Sequence, residues 1–121
     1  MQATVKPRTS QTWHIKVKGA KWRYRLLTPV RYRAVDPDEN GALTDTDKNI
    51  MYFRTDDFAW GHCLHELFHA YVSELHLQSA SDLSKIGFEE IIAEMLERHI
   101  RDMVKNADSM YHNMKNSRVG K

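Results

Sequence analysis

The chain has 121 residues, of which 41% are hydrophobic and 28% charged, enough apolar material for one folded domain and too much for a disordered chain. Its single cysteine excludes an internal disulfide framework, and no apolar run approaches the ~20 residues of a membrane span, so a soluble protein without membrane contact is expected. The net charge of +2 hides a division: residues 1–35 carry nine Lys/Arg and no acid, whereas residues 36–121 carry nine Lys/Arg against sixteen Asp/Glu.

Residues 1–11 lack both periodicity and the apolar segment of a secretory signal, which predicts a flexible arm and a cytoplasmic location. From Thr12 to Lys18, Trp13, Ile15 and Val17 alternate with His14, Lys16 and Lys18, the pattern of a strand with one buried face. Lys21 to Leu27 repeats it, with Trp22, Tyr24 and Leu26 inward, and Gly19-Ala20 suits a tight hairpin turn. After Thr28-Pro29, Val30 to Val35 reads as a third or edge strand. The turn formers of Asp36 to Lys48 predict an exposed loop, and Ile50 to Thr55 a further short strand.

Thr55, Asp56 and Asp57 offer capping oxygens to a following helix. Trp60, Leu64, Leu67, Phe68, Tyr71 and Leu75 then recur at helical spacing over about residues 57–76. Leu77 to Gly87 reads as a connector. A second helix is expected from Phe88 to about Lys105, with Phe88, Ile91, Ile92, Met95, His99 and Met103 on one stripe. From Asn106 a polar tail is expected.

The first helix contains His65-Glu66-Leu67-Phe68-His69. Residues four apart on a helix differ by only ~40° in azimuth, so both imidazoles reach one metal ion, while Glu66 lies ~100° from His65 and flanks it. That is the position of a general base for a zinc-bound water. A third ligand is needed, and the following helix carries Glu89, Glu90 and Glu94, with Glu90 twenty-one residues after His69.

His65-Glu66-x-x-His69 followed by Glu90-x-x-Ala93-Glu94 resembles the gluzincin zinc metallopeptidases, especially their minimal single-domain forms. The resemblance implies a zincin-like domain over residues 12–105, Zn2+ held by His65, His69 and Glu90, and Glu66 as catalytic base. It also implies that Glu94 orients a ligand His, that a strand along the cleft binds extended peptide or protein substrate, and that a Tyr or His stabilises the oxyanion. Tyr111-His112, Tyr52 and Tyr71 stay open for that last role. Glu89 is the rival ligand, although its i+4 neighbour Ala93 can orient nothing. Glu90, Glu94, Glu97 and Arg101 also fit an ordinary solvated face. The metzincin pattern is not met, because Leu75 stands where its third His belongs and His76 falls one residue too far. HELFHAY is similar to the motif of SprT-like proteases as well, without an evident counterpart of their downstream His.

The remaining candidates are plainer. His62 and His76 share the His65/His69 side of the helix, His99 suits a packed position, and Cys63 suits a small core filler. Lys16, Lys18, Lys21, Arg23 and Arg25 invite contact with nucleic acid or an acidic partner, although the polar face of a half-covered sheet has the same composition. Two functions are therefore weighed: a zinc metallopeptidase, and a metal-stabilised binding module that works through the basic hairpin. The expected fold is α+β, a small antiparallel sheet of three or four strands followed by the HExxH helix and the glutamate helix.

Overall fold

The computed structural model describes residues 8–75 and 85–120. Strands β1 (Ser10–Val17) and β2 (Ala20–Leu27) form the expected antiparallel hairpin. Val17 pairs with Ala20, so the turn is Lys18-Gly19, one residue earlier than the sequence suggests, with φ of 55° and 81°. Two positive-φ residues make the turn whose twist matches that of the flanking strands. Ser10 and Gln11, expected in a loose arm, belong to β1, and Arg8 bridges to Val119.

Residues expected to form an edge strand instead form helix α1 (Pro29–Val35). Pro29 stands in the first turn, where its missing N–H costs nothing and its fixed φ is already helical. The buried Tyr32 hydroxyl donates to Asp36 at 2.6 Å, and Asp36 also accepts from the Asn40 backbone N–H. Burial and this carboxylate together raise the Tyr32 phenol far above its ordinary range. The expected loop also holds a strand, β3 (Ala42–Asp45), which pairs antiparallel with β4 (Ile50–Arg54). β4 in turn lies parallel to β2, giving the order β1-β2-β4-β3. The sheet is therefore mixed, because α1 and β3 together form the crossover that a parallel pair requires.

One sheet face buries Trp22, Tyr24, Leu26, Met51 and Phe53 against helix α2 (Trp60–Glu74) and helix α3 (Lys85–Lys115). On the other face, Leu27, Ile50 and Tyr52 pack with Tyr32 of α1. The expected polar tail is mostly helix: Ala107, Met110 and Met114 are buried, and Asn113 donates to the Tyr24 hydroxyl at 2.9 Å. These residues continue the stripe of Met103 at helical spacing. Their sparse, unbranched apolar side chains are easily overlooked among polar neighbours, yet they suit a helix interior.

Candidate metal site and cleft

Helix α2 begins at Trp60, later than the capping run predicts; Thr55, Asp56 and Asp57 precede it, and Asp56 binds Arg54 at 2.7 Å. The first turn is closed from within, since the Ala59 N–H donates to His62 Nδ1 at 3.1 Å. Cys63, Leu67, Ala70 and Tyr71 recur along one side of α2 and are buried. That stripe anchors the helix on the sheet and sets the rotation of everything else on it. Burial pushes the Cys63 thiol up to about 12, so Cys63 is a core filler, neither a ready nucleophile nor a soft ligand.

His65 and His69 emerge on the exposed side one turn apart, with their Nε2 atoms 3.2 Å from each other. Two nitrogens bound to one tetrahedral zinc at about 2.0–2.1 Å lie roughly 3.3 Å apart. The pair therefore has the spacing of two zinc ligands. Two imidazole lone pairs facing each other at this distance repel, so one nitrogen carries a proton or a cation joins them.

Glu66 turns the other way and is only 5% exposed. Its Oε1 accepts a 2.7 Å hydrogen bond from the Thr44 hydroxyl of β3, and its Oε2 lies 3.8 Å from His65 Nε2. Thr44 can reach it because register places Thr44 beside Met51, on the helix-facing side of the sheet. β3 ends the sheet order, so its outer edge has no strand partner among the described residues. Between that strand and α2 runs a cleft of about 720 Å³, lined by Asn40, Leu43, Thr44, Thr46, His62, His65, Glu66 and His69 among others.

The structure thus brings His65, His69 and Glu66 together, and His62 to the same cleft. Glu89, Glu90 and Glu94 lie exposed on α3, and Glu94 pairs with Arg98 at 2.8 Å. Among the described residues no group of three His, Cys, Asp or Glu is arranged to hold a metal ion, so Glu90 does not join the histidines in such a cluster. His76 lies outside the described residues. His99 packs near the Tyr71 ring at 5.8 Å. The residues considered for oxyanion stabilisation lie elsewhere: Tyr52 is buried with α1, Tyr71 accepts from Asn106, Tyr111 packs on Phe58, and His112 lines a separate cavity.

Sequence reasoning missed Thr44, Asn40 and Thr46, all inside the segment read as a loop. The available signal was slight, the short run Ala42-Leu43-Thr44 between turn formers. Set against protein-family models, curated proteins and solved structures, the chain matches none of them.

Proposed function

We propose that the chain is a zinc-dependent peptidase. The observation that carries this reading is the convergence of the His65 and His69 Nε2 atoms beside a buried Glu66, in a cleft bordered by a strand edge with no strand partner among the described residues. Two imidazoles at the right separation suit the metal; the third ligand in this reading is Glu90, with Glu89 as its rival, and it has to be brought to the pair, since among the described residues neither stands in a group with the histidines. Zinc, when bound, lowers the pKa of a coordinated water and polarises a carbonyl.

The chain's own residues supply the rest. The Thr44 hydroxyl holds Oε1 of Glu66, leaving Oε2 on the His65 side to take a proton and return it to the leaving amine. The open edge of β3 offers backbone N–H and C=O groups to an extended peptide, the main-chain pairing by which strands are added to sheets. The exposed position of the histidine pair beside this edge favours an open site over a closed structural one.

Metal analysis of purified protein should find about one zinc per chain, lost in His69→Ala. Glu90→Ala should weaken zinc binding more than Glu89→Ala, and Glu94→Ala should cost about 10- to 100-fold if it orients a ligand. Glu66→Gln should keep zinc and fold but lose at least about 10²- to 10⁴-fold in peptide hydrolysis. Parental cleavage by Glu66→Gln would refute the mechanism.

A further inference from the structure

The hairpin carries its cations in a ladder that the fold does not use. Register sets Lys16 directly opposite Lys21 and His14 opposite Arg23, all on the sheet face away from α2 and α3. The Lys16–Lys21 rung sets like charges directly opposite each other, which is unfavourable on a sheet, and no acid stands among residues 1–35. Among the described residues Lys16, Lys18, Lys21 and Arg23 enter no ion pair. Lysines on an edge strand guard against unwanted pairing, which accounts for Lys16 on β1. It does not account for Arg23, because β2 is an interior strand there, paired to β1 on one side and β4 on the other.

The shape narrows the partner. Pairing of β2 with β4 begins only at Arg23 and Ile50, so the hairpin end with Lys16, Lys18 and Lys21 projects beyond β4 as a two-stranded ribbon. Its rear is braced: Trp22 Nε1 donates to Glu74 at 2.7 Å, and Asn106 donates to the Lys16 carbonyl at 3.2 Å. A protein partner would require an apolar anchor at the centre of the contact, yet among the described residues the large exposed hydrophobics are Val30 and Val35, both on α1. Single-stranded nucleic acid calls for aromatic stacking platforms, but Trp13, Trp22 and Tyr24 all point to the opposite face. The major groove of B-form DNA, about 12 Å wide, admits a two-stranded β-ribbon, whereas side chains do not enter the deep, narrow major groove of A-form RNA.

We infer that the projecting end of the β1–β2 hairpin docks on double-stranded DNA, with its Lys16, Lys18 and Lys21 and the adjoining Arg23 on phosphates. Lys and Arg on phosphates position a protein without reading sequence, so the binding is non-specific. This inference is independent of the peptidase reading and is tested without measuring hydrolysis.

The experiment is fluorescence anisotropy of a labelled DNA duplex titrated with the full chain at several salt concentrations. Four neutralised phosphates give a log–log salt slope of about −3.6, equivalent to a roughly 150-fold loss of affinity between about 50 and 200 mM salt. Lys21→Gln with Arg23→Gln should bring the slope to about −1.8. Lys21→Glu with Arg23→Glu should abolish binding while leaving Tm unchanged or higher, because the Lys16–Lys21 rung then opposes unlike charges. That pairing of lost binding with undiminished stability separates a binding surface from a structural one. Absence of binding at low salt, or unchanged binding in the charge-reversed variant, would overturn the inference. Equal affinity for duplex RNA would overturn the groove argument, and equal affinity for poly-glutamate would reassign the surface to an acidic protein.

Discussion

Thr44→Val isolates the contact that joins the sheet to the candidate catalytic carboxylate. The substitution keeps the shape and the β-branch, so strand propensity and packing volume change little, and what disappears is the 2.7 Å donor to Glu66 Oε1. Hydrogen bonds to charged groups contribute about 1.5–3 kcal/mol, against about 0.5–1.5 kcal/mol for neutral pairs. The Glu66 side chain is only 7% exposed, so water replaces the lost donor poorly, but the adjoining cleft admits some. A loss near 1.5–2 kcal/mol is therefore expected in urea unfolding, with an unchanged denaturant slope. In a Glu66→Gln background the acceptor is neutral, and the same substitution should cost only about 1 kcal/mol. A cost below about 0.5 kcal/mol in the parent, or equal costs in both backgrounds, would show that the hydroxyl does not hold the carboxylate.

Met110 is fully buried on the last turns of α3, so Met110→Ala should cost about 2–5 kcal/mol in chemical unfolding, whereas a polar tail would give almost nothing. Gly19→Ala should cost about 1 kcal/mol, read as a fall in Tm, because Gly19 has φ 81° while open space surrounds it, leaving backbone strain as the whole effect. Cys63 should resist a thiol reagent at pH 8 in the folded protein and react once unfolded. Burial favours its neutral form, so its contribution to stability is full below pH 9.0 and fades as pH rises toward about 12. The alkaline loss of stability should accordingly be shallower in Cys63→Ala; an identical alkaline profile would contradict the burial argument.

Several features were legible because they are local. Alternation at period two specifies which face of the hairpin is buried, and it correctly sends Trp22, Tyr24 and Leu26 inward. The four-residue spacing of His65 and His69 likewise predicts their meeting, since a helix turn alone brings them side by side. Val30 to Val35 misled because β-branched residues suggest a strand, while Pro29 in the first turn and the Tyr32–Asp36 hydrogen bond stabilise a helix instead. β3 was illegible for another reason: four residues between turn formers are too few to establish a period.

By itself the sequence determined the hairpin, the two main helices and the histidine pair, because each follows from contacts within a few residues along the chain. Only the tertiary structure decided that β4 lies parallel to β2, that β3 closes the sheet at its edge, and that Thr44 meets Glu66 across twenty-two positions. It also decided that the end of α3 is core and that Lys16 of β1 faces Lys21 of β2. Those outcomes depend on which distant surfaces bury one another and in what register, and backbone periodicity carries no record of a partner that lies elsewhere in the chain.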